Sequence, residues 1–154
     1  MARDLKVDPF AIVILIISFI GFVLLLATPF AGLYFYDGYY YGYGYSCFSC
    51  FGYSVGGDVA MQAIVLILFI LQIIIAFNEL LPKKFIKFEK MNIIGMALAG
   101  ATILFTIIGL AIFGGVYEFD PTVTNWWPEA GFYGGVVGGI VNLVMFILKF
   151  RKVL

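Results

Sequence analysis

AGLYFYDGYYYGYGYSCFSCFGYSVGGD, residues 31–58, decides how the rest of this chain is read. It holds eight of the ten tyrosines, both cysteines, and neither lysine nor arginine. Asp37-Gly38 lies between the aromatic runs Tyr34-Phe35-Tyr36 and Tyr39-Tyr40-Tyr41. A DG pair flanked by residues that favour extended backbone predicts a β-hairpin with a two-residue turn.

Outward from this stretch the chain changes character. Of its 154 residues, 64% are hydrophobic and 12% charged, with mean hydropathy +1.09. A soluble domain of that composition would expose large apolar patches, so an integral membrane protein is expected. A helix needs roughly 20 apolar residues to cross the hydrocarbon core. Four windows meet that length: Phe10 to Phe30, Val59 to Leu81, Met91 to Val116 and Ala130 to Leu148. The fold class expected is an all-α membrane protein: a four-helix bundle in one domain, 1–154, with a small β cap formed by the connections 31–58 and 117–129. The first apolar run is longer than a signal-peptide core and no small-x-small cleavage site follows it, so a retained helix is expected.

The net charge of zero conceals an asymmetry. All nine basic residues lie in the N-terminal tail, the 82–90 connection or the C-terminal tail. By the positive-inside rule these parts are expected in the cytoplasm and the other two connections outside, in the plasma membrane. Nine bases and the acids Asp4, Asp8, Glu79 and Glu89 give the inner side +5; Asp37, Asp58, Glu118, Asp120 and Glu129 give the outer side −5. An acidic outer face excludes nucleic acid as a partner. The lysines of PKKFIKFEK are expected to serve topology, and its phenylalanines suit the headgroup level beside anionic lipid.

Several local signals refine this outline. Asp58 is expected as the N-cap of the second helix, and Val116 to Phe119 alternates as a short strand able to join the hairpin. Trp126 and Trp127 are expected as membrane-interface anchors. Gly131, Gly135 and Gly139 recur every four residues, as do small residues on the third helix, which favours close packing of these two helices or packing on another subunit. Ser18, Gln72 and Asn142 fall at similar depth, with Thr102 and Thr106 on their outer side, and are expected to hydrogen-bond across helices. The same residues would line a small oligomeric pore, the less favoured reading because no charge sits mid-span.

Cys47 and Cys50 form a CxxC on the expected oxidising side, where an internal disulfide is the natural state. It closes a short loop, so its stabilisation is modest. The alternative is a membrane thiol-disulfide oxidoreductase. In layout the chain resembles the bacterial disulfide-generating quinone reductases, but it lacks their second cysteine pair and an arginine near the CxxC. With no histidine and two thiols, no metal, cofactor, catalytic residue or soluble small-molecule substrate is expected.

Tyr34, Tyr36, Tyr39, Tyr40, Tyr41, Tyr43 and Tyr45, joined by Tyr53, have the composition of a binding surface. They also suit a self-contained cap whose rings pack on each other, disordered at Gly42 to Gly44. Four helices, a hairpin with two cysteines in the first outer connection and a shorter second one give a layout that resembles the claudin type of tetraspan protein. Gly32-Leu33-Tyr34 is similar to that family's GLW motif with Tyr in place of Trp, and Cys47 and Cys50 to its cysteine pair, more closely spaced here. The resemblance implies lateral assembly and adhesion through the outer connections. The function expected is that of a non-enzymatic structural or assembly protein, as a homo-oligomer or in a larger membrane complex, embedded in the lipid bilayer.

Overall fold

The computed structural model describes residues 8–49, 52–86 and 90–153. Its elements in order are α1 (Pro9–Ala27), β1 (Ala31–Tyr36), β2 (Tyr41–Ser46), α2 (Gly57–Leu80), α3 (Met91–Tyr117), β3 (Val123–Pro128) and α4 (Ala130–Val153). Each helix is long and apolar enough to cross a membrane. Each packs on its neighbours in sequence, and α4 returns to α1 to close the ring. Side chains such as Ile16, Phe19, Ile67, Leu104, Val137 and Val144 point outward although apolar, as expected of helices whose outer surface meets lipid rather than water.

The helix ends follow from local chemistry. Pro9 occupies the first helical position, where no N–H is needed, and the Asp8 carboxylate accepts from Phe10 N–H at 3.0 Å as the N-cap. At the other end of α1, Thr28 stops the helix in extended geometry ahead of Pro29, and both its N–H and its hydroxyl donate to Leu24 O. Leu81 turns extended before Pro82 and ends α2.

The interior is stratified. A cluster of Leu25, Phe30, Leu33, Val65, Leu66, Phe69 and Phe113 fills the half nearest the sheet. Ile14, Ile75, Ala76, Met91, Ala99 and Phe146 fill the half nearest the termini. Between them lies a polar belt with one residue from each helix. Asn142 Nδ2 donates to Ser18 Oγ (2.8 Å) and to Gln72 Oε1 (2.9 Å), and Gln72 Nε2 donates to Thr102 Oγ1 (2.9 Å). All four side chains are fully buried. In lipid such contacts hold helices in register at about 0.6–2 kcal/mol each. Thr102 is thus joined directly to Gln72, and Thr106 Oγ1 donates back to Thr102 O.

Glycines set the helix spacing. A Cβ on Gly135 would meet Thr106 Oγ1 at 2.5 Å, and one on Gly139 would meet Ile103 Cγ1 at 2.6 Å, so α4 lies directly on α3. Gly131 sits against Pro29 and donates its N–H to Pro29 O at 2.8 Å. At the terminal end, Lys149 Nζ lies 2.8 Å from Asp8 Oδ2 and 3.1 Å from Glu79 Oε2, tying α4 to α1 and α2. Burial pushes the Asp8 carboxyl up, but the hydrogen bond and charge of Lys149 and the N–H groups of Phe10 and Ala11 outweigh it and hold it below 3.8.

Strand order in the sheet is β2-β1-β3, antiparallel throughout. The third strand comes from the α3–α4 connection, but from Val123–Pro128 rather than from Val116 to Phe119. The first half of that segment ends α3 and the rest turns away from it: Glu118 N–H, at the C-cap, donates to Gly114 O at 2.8 Å, and Tyr117 packs on Phe113 with ring centroids 4.9 Å apart. Helical bonding and burial there outweigh a local alternation of only four residues.

Candidate functional site: a tyrosine face on the sheet

The hairpin connection has four residues, 37–40, because the register pairs Tyr36 with Tyr41 and Tyr34 with Tyr43. A two-residue turn would have paired Tyr36 with Tyr39. The Asp37 side chain explains the wider loop: Oδ1 accepts from Tyr39 N–H (3.0 Å) and Tyr40 N–H (2.7 Å), while Asp37 N–H donates to Tyr40 O (3.3 Å). Gly38 adopts φ +92°, which favours glycine. The register moves by two residues, so every side chain keeps its face. The consequence is that Tyr39 and Tyr40 project from the tip, 89% and 74% exposed.

Strand alternation then sorts the aromatic residues. Tyr34, Tyr36, Tyr41 and Tyr43 share the face turned away from the bundle, and Tyr45 continues it opposite Gly32. The Tyr34 and Tyr41 rings stack at 5.4 Å and 8°; Tyr34–Tyr43 and Tyr36–Tyr41 approach at 5.1 and 4.7 Å. Gly42 and Gly44 are part of β2, where their missing side chains admit the rings of Phe35 and Tyr53 on the bundle side. Those two rings pack at 5.1 Å. The alternation of Tyr and Gly is thus a division of one strand into a displayed face and a packed face.

The two tryptophans fall on opposite sides of the same sheet. Trp127 pairs with Gly32 and lies over it, close enough that a Cβ there would come within 2.7 Å of the indole; its Nε1 donates to Glu129 Oε1 at 2.5 Å. Trp126 pairs with Leu33 and packs on Gly114 of α3. Both are half-buried within β3.

The face is fastened to the bundle through Asp58. Gly56, at φ +79°, is the N-cap of α2, and Asp58 sits in the first turn rather than at the cap. Its carboxylate accepts from Ser46 Oγ at the end of β2, and from Ser54 Oγ and Val55 N–H, both at 3.1 Å. Gln62, one turn further along α2, donates to Ser46 Oγ at 3.3 Å. Asp58, Ser46 and Gln62 are all fully buried. Sequence reasoning took Asp58 as a cap and missed Ser46 as its partner. The available signal was Asp58 and Gln62 four apart on one helix face.

Cys47 follows Ser46 directly and is 4% exposed. The expected partner, Cys50, lies outside the described residues, as do Lys87, Phe88 and Glu89 of the lysine-rich connection. In that connection Asn78 Oδ1 accepts from Phe85 and Ile86 N–H at 3.0 and 2.9 Å, a further role that sequence reasoning missed.

The tip should respond to acid. Backbone N–H groups of Tyr40 and Tyr39 hold the Asp37 carboxyl below its ordinary 3.8. A depressed carboxylate contributes its stability above 3.8 and loses it as pH falls below that value toward the folded-state pKa. The Tyr39 and Tyr40 amides should therefore lose protection from hydrogen exchange in that acid range. Asp37→Asn should flatten the profile.

In comparisons with protein-family models, curated proteins and solved structures, nothing matches this chain.

Proposed function

We propose that this chain is a non-enzymatic membrane protein that works by contact: a four-span bundle displaying a preorganised tyrosine face outside the plasma membrane to a partner. The observation that carries the reading is the row Tyr34, Tyr36, Tyr41 and Tyr43, mutually packed yet turned to solvent, with Tyr41 and Tyr43 64% and 66% exposed. Rigid tyrosines give contact area at low entropic cost, and packing against each other removes much of that cost before a partner arrives. The glycine stripe Gly131, Gly135 and Gly139 is occupied within the chain, which favours the sheet over this stripe as a surface for assembly. The layout of the sheet, one hairpin from the first connection and one strand from the second, favours the claudin-type resemblance and lateral assembly.

Burial of Cys47 favours a structural over a redox role, since thiol exchange needs an accessible thiolate. The fully buried polar belt, in which Asn142 Nδ2 bridges Ser18 and Gln72 although Asn142 Oδ1 has no partner among the described residues, favours helix registration over a pore lining. Both termini and the lysine-rich connection are cytoplasmic in this reading.

The test is the mass of the complex extracted in mild detergent. Wild-type protein should run with neighbours well above the 17.1 kDa of one chain. Tyr41→Ser/Tyr43→Ser should run as a folded single chain. A wild-type protein found alone, or a double variant that keeps the same neighbours, would remove the proposal.

A further inference from the structure

The charge around the tyrosine face narrows what it binds. Residues 31–58 and 117–129 contain five carboxylates and no basic side chain. Asp58 is buried and bonded, so four remain for the surface. Asp37 stands at the hairpin tip, and Glu129 lies at the opposite end beside Trp127. Between them run the rings of Tyr34, Tyr36, Tyr41 and Tyr43, whose faces carry negative quadrupole charge. The result is an aromatic strip with an anion at each end and nothing cationic to neutralise it.

Three classes of occupant can be compared on these terms. A second copy docking the same face would bring carboxylates against carboxylates, a repulsive arrangement. An uncharged apolar segment would cover the rings but strip water from Asp37 and Glu129 without replacing it. A cationic segment meets both requirements, because ammonium and guanidinium groups are attracted to ring faces and to carboxylates alike. Arginine suits a row of stacked rings better than lysine, since its planar head lies flat on an aromatic face.

We infer that the tyrosine face receives an extended, arginine-bearing segment of a different protein, laid along the strip between Asp37 and Glu129. This rests on the contact reading above and adds the chemistry of the partner. Complementary charge makes the association fast and salt-sensitive.

The full chain in zwitterionic nanodiscs, titrated with labelled synthetic peptides, tests it. The probes are one glycine-spaced arginine peptide, its citrulline twin of equal shape without charge, and its glutamate counterpart. The arginine peptide should bind, weaken as salt rises, and exceed both others by at least about tenfold. Tyr41→Leu/Tyr43→Leu keeps apolar bulk but removes the ring faces, and should weaken binding by about two- to fivefold per ring. Tyr41→Phe/Tyr43→Phe keeps the ring faces and should lose less binding than the leucine pair. Equal binding of the citrulline or glutamate peptide, or arginine binding indifferent to the leucine double variant, overturns the inference. If the extracted complex still depends on Tyr41 and Tyr43 while the arginine peptide fails to bind, the contact reading survives and the cationic partner does not.

Discussion

Phe69→Ala is expected to lower the stability of the bundle by about 3–5 kcal/mol, the range for truncating a buried aromatic ring. Phe69 is 0% exposed. Its ring lies where α1, α2 and α4 meet, and the other two helices present glycine to it: a Cβ on Gly21 or Gly138 would come within 2.5 or 2.9 Å of its Cζ. Neighbours without side chains cannot fill the space left behind, so the cavity term stays large. Unfolding in detergent micelles measures it. A loss below about 1 kcal/mol would mean that the helices close over the gap and that Phe69 does not set their spacing. The reverse substitution, Gly21→Leu, should fail for the complementary reason, since the added side chain must displace the ring.

Asp58→Ala is expected to cost about 2–4 kcal/mol, because Ser46 Oγ, Ser54 Oγ and Val55 N–H all lose their acceptor in a buried or half-buried site. The distinguishing feature is where the loss appears. Helix content should hold, while amides of β2 lose protection from exchange, because Asp58 joins the end of that strand to the first turn of α2. Asp58→Asn keeps the shape and one good acceptor and should fall between. If the alanine variant matched wild type in both stability and β2 protection, Asp58 would not be the fastening of the tyrosine face. On the proposed contact function, loosening this link should weaken partner binding with every tyrosine intact.

How far the sequence could be read depended on the range of the interaction. The helices are legible because twenty apolar residues in a row have few alternatives to spanning a bilayer. The hairpin was legible because Asp37-Gly38 acts over a few residues, although Asp37's capture of two successive amides widened the loop. β3 was not legible. TVTNWWP contains an asparagine and a proline, and it becomes a strand only because β1 offers a partner about 90 residues earlier in the chain, as the bond from Thr124 Oγ1 to Tyr34 O illustrates. Counting depth from the membrane faces grouped Ser18, Gln72 and Asn142, but it assumes helices entering at equal height. The bond from Gln72 to Thr102 is a partner that such counting does not supply. The buried set Ser46, Asp58 and Gln62 escaped because it joins a strand end to a helix start across a loop whose path local patterning does not encode.

Everything attributed to the tyrosine face depends on its lying outside the cell. Cysteine introduced one at a time at an exposed position of the hairpin tip, Tyr39→Cys, and of the lysine-rich connection, Lys83→Cys, measures this against the wild-type background with a thiol reagent that cannot cross membranes. Intact cells should label Tyr39→Cys at once and Lys83→Cys only after permeabilisation. Labelling of Lys83→Cys in intact cells, with Tyr39→Cys protected until the membrane is opened, would place the face in the cytoplasm and contradict the account.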